Sequence, residues 1–399
     1  MPNSVITQNP SARSWHILSP DTDLHVRVQN EVGSRVSQDL FPQLVNRPTA
    51  IQVLPNGKIV IYNYYQRQQK FTSDYAAVGD IGITYQNPTE ENEGIGYLFG
   101  GKINTSQTRV ALASWARHVV RVYDLDDPTT YLFEIGVPAS GGHVADGKIG
   151  NPFDVVWLPN GNLLVSCYTY RGANGTNHGH VSEYSGDTGQ LVASRLEFGG
   201  LNSNTGFVTQ GGVYRPGRMH VDSVGKLWLI NHGRNEIGRF NMTPNEHGYY
   251  QFEAAYYSPA GTNWGSLYGI CLSSNEQTVI VGSRNDQRIY GLDIETHAAM
   301  FIIEPAKMGL GTDFRDVRLL KHQDGADYVI FSDWSRHSVC VVRCSETEQI
   351  AYTIPTPPIG MSIDNATDSL SPQLNTETGI LSVQTHELDH VGDLVVLFS

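Results

Sequence analysis

The sequence has 399 residues and a formal net charge of −13, with 27 Lys and Arg against 40 Asp and Glu. This charge disfavours nucleic acid and anionic membrane surfaces as partners, and no apolar run is long enough to span a bilayer. The 40 Gly, 20 Tyr and only 17% charged residues are typical of a turn-rich β protein.

The first segment, residues 1–13, is polar and has neither a charged n-region nor an apolar h-region, so we expect no secretory signal. We interpret it as an arm that could tether the protein to a larger assembly. Residues 14–399 carry a repeat from end to end without a Pro/Ser-rich linker, which predicts one domain. The expected location is therefore the cytoplasm or a virion.

A unit of two apolar strands joined by a polar Gly turn recurs along this domain every 44 to 64 residues, measured between the starts of successive copies. Asn-Gly dipeptides in two of the turns favour tight hairpins, because both residues accept a positive φ. The last copy is weaker and ends one strand short. The copies are predicted at 48–63, from about 94 to 115, and at 152–166, 216–231, 268–283, 314–333 and 358–398.

Repeats of this length with four short strands each predict the blades of an all-β propeller, because a closed ring buries sheet faces that one unit cannot bury alone. We expect seven blades. An N-terminal strand, within 15–18 or 24–28, should complete the last blade beside 392–398 and close the ring. The alternative is six blades plus a terminal sheet.

The turns after the second strand of each repeat are chemically alike and should share one face of the ring. Arg, Trp and Tyr on one rim are typical of interaction surfaces. The alternative is structural, with each Arg or Asn tying its turn to the neighbouring blade. The third repeat has an expanded turn, 168–180, that the fold does not require. The predicted binding residues are Tyr64, Arg67, Trp115, Arg117, His118, Tyr168, Tyr170, Arg171, His232, Arg234, Arg284, Trp334, Arg336 and His337.

The Pro-led opening of the first strand, the Gly turn, and a following turn ending in Asn or Arg before an aromatic residue together resemble NHL-type repeats, best at 231–240 and 282–290. The resemblance covers about five of the seven copies. It implies a propeller, and such propellers include protein-binding and RNA-binding modules, while related ones include lyases and lactonases.

The metal sites of these enzymatic relatives are not matched. The zinc-dependent lyase type has a His after the opening Pro, where this chain has Thr49, Phe153, Gly217 and Ile359, and the lactonase Glu-Gly-Pro opening is missing. His178 and His180 could share a face of a strand but lack an assigned third ligand. We therefore expect no metal and no cofactor.

These patterns favour a non-catalytic binding or scaffold propeller that presents its loop face to a protein or glycan partner, in an oligomeric assembly or as a structural component of a virion. The competing hypothesis is a hydrolase or lyase with its site in the central funnel. No Gly-x-Ser-x-Gly nucleophile elbow occurs to favour that hypothesis.

Overall fold

Antiparallel pairing in the described residues gives six four-stranded sheets and one two-stranded hairpin. The computed structural model describes residues 14–17, 47–55, 59–64, 68–71, 77–80, 97–126, 131–137, 148–171, 177–197, 213–308, 310–321, 327–336, 338–347, 373–375 and 380–382.

Five sheets, here called blades 1 to 5, are each built from four consecutive strands. Blade 1 has β2 (Pro48–Val53), β3 (Ile59–Asn63), β4 (Gln68–Phe71) and β5 (Ala77–Asp80), and blade 2 has β6 (Leu98–Ile103), β7 (Arg109–Ser114), β8 (Val119–Asp124) and β9 (Tyr131–Gly136). Blade 3 has β10 (Pro152–Trp157), β11 (Leu163–Arg171), β12 (Asn177–Tyr184) and β13 (Leu191–Glu197). Blade 4 has β14 (Pro216–Val221), β15 (Lys226–Asn231), β16 (Glu236–Asn241) and β17 (Gln251–Tyr256), and blade 5 has β18 (Leu267–Leu272), β19 (Thr278–Ser283), β20 (Arg288–Asp293) and β21 (Ala299–Ile303).

The remaining four-stranded sheet closes the ring and joins the two ends of the chain. A 3-10 helix, Pro305–Met308, leads towards it. Its strands are β22 (Phe314–Lys321), β23 (Asp327–Asp333), β24 (Ser338–Thr347) and, from the N-terminus, β1 (Ser14–Ile17). The first strands of successive sheets contact one another around the ring, and β22 returns to β2. These six inner strands enclose the central channel.

The prediction of seven blades is wrong. β24 runs on to Thr347, and β1 occupies its free edge in register from Ser14 opposite Thr347 to Ile17 opposite Cys344. Because β22 then packs on β2, the described ring leaves no gap for another blade. The segment 392–398, expected to pair with the N-terminal strand, lies outside the described residues, as does 24–28. The alternative of six blades with a terminal sheet also differs from the observed architecture, which has five blades of consecutive strands and a closing sheet. The described part of the weak last copy is the hairpin of β25 (Gln373–Asn375) and β26 (Ile380–Ser382).

The core lies between neighbouring blades and consists of apolar side chains from alternate strand positions. Between blades 4 and 5, for example, Trp228, Ile237, Tyr256, Val281 and Tyr290 are all at most 1% exposed and belong to one cluster. Burying an aliphatic or aromatic side chain of this size contributes about 1.5–3 kcal/mol. This packing explains why each second strand is a short Val, Ile and Leu run.

Inner strands approach so closely at one point that a side chain is excluded. Gly269 has φ +74°, and a Cβ atom there would lie 2.0 Å from the backbone nitrogen of Val317 on the next inner strand. Glycine is the residue that combines a positive φ with such an approach. The contact between blade 5 and the closing sheet therefore depends on this residue.

The entry to each inner strand is a tight turn that sets the geometry of one face of the ring. The residue before the strand has a positive φ in four of the sheets: Arg47 (53°), Asn151 (45°), Arg215 (57°) and Ser266 (49°). Its carbonyl, or that of Tyr97 or Asp313 in the other two sheets, accepts the N–H of the residue just after the second strand or, in blade 3, of Tyr168 within that strand. One residue from every sheet is thereby fixed beside the channel mouth.

Candidate functional site

The residues fixed in this way are Tyr64, Trp115, Tyr168, His232, Arg284 and Trp334, one from each sheet. All six belong to the binding set predicted from the sequence. Their donor–acceptor distances to the preceding turn run from 2.9 to 3.3 Å. The repeated backbone hydrogen bond therefore places equivalent residues of all six sheets at the same channel mouth. Five of these six side chains contain rings.

These rings join with three from the inner strands into a continuous layer, which we call the aromatic plate. The centroid of Trp334 lies 4.5 Å from Tyr64, and that of Trp115 lies 4.9 Å from Tyr168. His232 continues the layer at 5.4 Å from Tyr168 and 5.1 Å from Tyr268. Centroid separations of 4.5–7 Å are those of favourable aromatic pairs. The plate consists of Tyr64, Phe99, Trp115, Phe153, Tyr168, His232, Tyr268 and Trp334.

Phe153 sits in the middle of the plate and seals it. Its ring lies 5.3 Å from Phe99, 5.7 Å from Tyr168 and 5.9 Å from Tyr268, which belong to three different blades. The residue is 1% exposed. Beneath it, the guanidinium carbon of Arg218 lies 5.2 Å from the ring centroid. The channel mouth is therefore closed by rings rather than open.

Guanidinium groups complete the plate. Arg315 lies 4.9 Å from the ring centroids of both Tyr268 and Trp334, and so spans the gap between them. Arg47 lies over Trp334 at 5.4 Å and Arg215 over Tyr168 at 5.5 Å. Such stacking is worth about 0.5–2 kcal/mol per pair. The result is a locally cationic surface on an acidic protein.

His232 is neutral at pH 7 in this setting. Burial first, and then the nearby Arg215, Arg315 and Arg284, lower its pKa to about 4. Its Nδ1 lies 3.4 Å from the hydroxyl of Tyr168. His232 therefore acts here as an aromatic ring, and the positive charge of the plate comes from arginine.

Below the plate, four charged side chains fill the channel, and we call them the ionic plug: Asp154, Arg218, Asp316 and Arg318. Arg218 is wholly buried, and its guanidinium donates to the backbone carbonyls of Thr49, Phe99, Phe153 and Arg315, on four different inner strands. It also donates to Asp154 Oδ1 at 3.2 Å. A planar fork of five donors suits this hub position.

The two carboxylates of the plug link successive sheets. Asp154 Oδ2 accepts the N–H of Met219 at 2.9 Å, and Asp316 Oδ2 accepts the N–H of Ile51 at 2.8 Å. Arg318 Nε donates to Asp316 Oδ2 at 3.2 Å. Burial lowers the pKa of Arg318, but Asp316 and Asp154 more than offset this effect, and the net shift is upwards. Arg318 therefore keeps its positive charge in the channel.

The sequence interpretation missed the plug. A signal was present, because Asp154, Arg218, Asp316 and Arg318 interrupt strands that are otherwise predicted to be buried. Charged residues are almost never fully buried unless they are paired. A search for opposite charges at the same position of different repeats would have found the two Asp residues and Arg218.

Other predicted binding residues have structural ties, as the alternative interpretation allowed. His118 Nδ1 accepts the N–H of Asn151 at 2.9 Å, across blades 2 and 3. Arg284 Nε lies 2.6 Å from Asp313 Oδ1 of the closing sheet. Arg117 and Arg234 are half-buried in turns, and Arg336 is exposed. Arg67 and His337 lie outside the described residues.

The expanded turn of blade 3 is shorter than predicted. β11 extends to Arg171 and β12 begins at Asn177, so Tyr168, Tyr170 and Arg171 are strand residues, not turn residues. Tyr170 pairs with His178 and Arg171 with Asn177 across the hairpin. The register of this pairing shifts between Cys167 and Tyr170, and the pairing then continues to Arg171. The side chains of Tyr170 and Arg171 lie outside the described part.

Neither a known protein family nor a curated protein matches this sequence. Among solved structures, it is similar to a candidate gluconolactonase, with 12% identity, a TM-score of 0.49, and coverage of 84% of this chain and 93% of the other. The Swd1 β-propeller domain of Myceliophteria thermophila has 8% identity, a TM-score of 0.49, and coverage of 76% and 97%. The hydrazine synthase of Kuenenia stuttgartiensis has 11% identity, a TM-score of 0.48, and coverage of 76% and 97%. At these values the propeller assignment rests on the strand pairing itself, and the NHL-type resemblance stays a prediction.

No group of three or more His, Cys, Asp or Glu side chains in the described ranges is placed to hold a metal ion. His180 is buried, and its Nδ1 lies 2.9 Å from Ser182 Oγ. Within the same ranges, no helix has the length and apolar character needed to cross a membrane.

Proposed function

We propose that this propeller is a non-catalytic binding module and that the aromatic plate is its contact surface for a protein or glycan partner. The observation that carries the proposal is the plate itself: eight rings in mutual contact, with three stacked guanidiniums, held at one mouth by a repeated backbone bond. Preorganised Trp, Tyr and Arg side chains lose little entropy on binding and dominate binding energy at interfaces.

The filled channel supports a surface role over a funnel enzyme. Phe153 closes the mouth, and Arg218 crosslinks four inner strands directly below it. A substrate entering from this mouth would have to displace both groups. A partner lying across the plate would displace neither, which favours a broad contact over a deep pocket.

The positive charge of the plate indicates that the partner's contact surface is acidic. The chain carries −13 overall, yet Arg47, Arg215 and Arg315 stack on the plate. A local cationic patch on an acidic protein steers complementary acidic surfaces to one face and repels them elsewhere. We expect association to weaken as salt rises.

A photo-crosslinking experiment tests the proposal. Tyr97 is 37% exposed and stacks on Tyr64 at 4.4 Å, so benzoylphenylalanine placed there would report a partner on the plate. The matched control is Val224, which is 75% exposed in the turn between β14 and β15, away from the plate. In cells of the source organism, position 97 should give one defined protein adduct, and position 224 should give none.

A glycan array distinguishes the second partner class. If position 97 gives no adduct but the protein binds a defined glycan, and Trp115→Ala abolishes that binding, the partner is a glycan. Equal adducts from both positions, or no binding in either assay, would count against the plate as a contact surface. A structural place in a virion stays a prediction, because residues 1–13, on which it depends, lie outside the described residues.

A further inference from the structure

Three nitrogen-bearing side chains meet at the end of the ionic plug away from the plate: Lys102, His220 and the plug residue Arg318. They lie on β6, β14 and β22, which are alternate inner strands of the ring. Each comes two residues after the level of Arg218 in its own strand, where Gly100, Arg218 and Asp316 stand, so each lies on the same side of its strand as that residue. Burial first, and then the charges of Arg318 and Lys102, lower the pKa of His220 to about 3, so its imidazole is neutral at pH 6.5.

Hydrogen bonding at this level is incomplete. Arg318 is 5% exposed, and its Nε and Nη1 donate to the carbonyls of Ile51 at 3.2 Å and Ile270 at 2.6 Å. Its Nη2 has no hydrogen-bond partner among the described residues, and its ion-pair contact with Asp154 Oδ2 is long, at 3.9 Å. Lys102 Nζ reaches the carbonyl of Ile51 at 3.5 Å, which is a long bond. A buried donor left without a partner costs about 1–3 kcal/mol, and more when it is charged.

The positive charges of these side chains also outnumber the negative ones. Arg218, Arg318 and Lys102 supply three positive charges, whereas Asp154 and Asp316 supply two negative ones. Both carboxylates already accept backbone N–H groups. Cys271 adds no negative charge, because burial raises its thiol pKa to about 12. Burial, and then Arg318, lower the pKa of Lys102 to about 7, which outweighs the opposing effects of Asp154 and Asp316.

The position is reachable. Lys102 and His220 are half-buried, with Arg318 behind them. The neighbouring amide of Gln52 is already used, because it donates to the carbonyl of Ile103 at 2.8 Å and accepts from the N–H of Ile103 at 2.6 Å. The donors that still lack good acceptors here are therefore the ammonium of Lys102 and the guanidinium of Arg318.

We propose that Lys102, His220 and Arg318 form a binding site for one small anion, of the carboxylate, phosphate or halide class, at the channel end opposite the plate. The anion would accept from Arg318 Nη2 and from the ammonium of Lys102, and it would balance the third positive charge. The site does not depend on the partner-binding role of the plate, because Asp154, Arg218 and Asp316 lie between the two.

Thermal unfolding tests this site directly. Sodium chloride, acetate and phosphate are titrated separately at pH 6.5 and constant ionic strength, with bulky gluconate as the replacing anion. A ligand that binds only the folded state raises Tm with its concentration. We expect at least one of the three to raise Tm by about 2 °C or more in a saturable way. Which anion acts distinguishes a carboxylate, phosphate or halide site.

Three variants make the result specific. Lys102→Met should abolish the response, Lys102→Arg should retain it because the charge is kept, and Lys307→Met, on an exposed lysine, should respond like the parent. The affinity for the anion should fall as pH rises from 6.5 to 8.5, because Lys102 of the anion-free protein loses its proton over this range. No saturable rise with any anion, or an equal rise in Lys102→Met, would overturn the proposal.

Discussion

The aromatic plate and the ionic plug are adjacent layers of one channel, but they relate to the sequence in opposite ways. Five of the eight rings of the plate occupy the same position of five repeats, at or near the end of the second strand, and they are chemically alike. Three of the four plug residues occupy one position of the inner strand, where the residues differ from copy to copy: Ala50, Gly100, Asp154, Arg218, Gly269 and Asp316. Repetition reveals the plate, whereas complementarity between unlike copies creates the plug.

The layers should also differ in what they stabilise. The plug residues are buried and charged, so their contribution is to the folded state and to the closure of the ring. The rim of the plate is half-exposed, so under the proposed function its contribution is to partner binding. Single substitutions in the plug and in the plate can separate these two roles.

Arg218→Met should lower the free energy of unfolding by about 3–5 kcal/mol, because it leaves two buried carboxylates without their central cation. Four inner-strand carbonyls lose their donor as well. A urea titration measures the change, with Arg284→Ala, an exposed arginine, as the control. The control should lose less than about 1 kcal/mol. Equal losses in both variants would mean that the plug is not a stabilising centre.

Phe153→Ala should cost about 3–5 kcal/mol, since it removes the wholly buried centre of the plate. It should also expose Arg218 to solvent, because the ring covers that guanidinium. Hydrogen exchange of the inner-strand amides checks this second effect. Phe153→Leu is the matched variant, and it should recover most of the stability. A loss below about 1 kcal/mol for Phe153→Ala would show that the plate does not seal the channel.

Lys102 should make the stability depend on pH between about 7 and 10. Its folded pKa of about 7 lies below the unfolded value, so the unfolded chain binds the extra proton in this range, and stability rises with pH. The slope attributable to one such group is at most about 1.4 kcal/mol per pH unit. The difference in stability between the parent and Lys102→Met, measured in gluconate buffer, isolates this slope. A difference that is independent of pH would contradict the placement of Lys102.

Replacing Tyr170 and Arg171 together with Ala should change the free energy of unfolding by less than about 1 kcal/mol, as surface substitutions usually do. The same variant should weaken binding to a partner identified by crosslinking by about 1–4 kcal/mol if these side chains are binding hot spots. Both quantities must be measured on one protein. Lost stability with unchanged affinity would assign this hairpin to packing.

Much of the fold could be predicted because strands, turns and blades are local patterns. The alternation of Pro216–Val221 and Lys226–Asn231 around a Gly turn indicates a hairpin without any long-range knowledge. The number of blades could not be predicted from such local patterns. It depends on β1 pairing with β24 across more than three hundred residues, and nothing in either short segment specifies that partner.

The sequence by itself determined the propeller class and the composition of the channel mouth, because both follow from a unit repeated along the chain. The tertiary structure alone decided where the ring closes, that the mouth residues form one sealed plate, and that charges from different repeats pair in the channel. The physical reason is that each of these features joins residues far apart in the chain. Such contacts are selected by burial and charge balance in the assembled ring, not by the local preferences of any one strand.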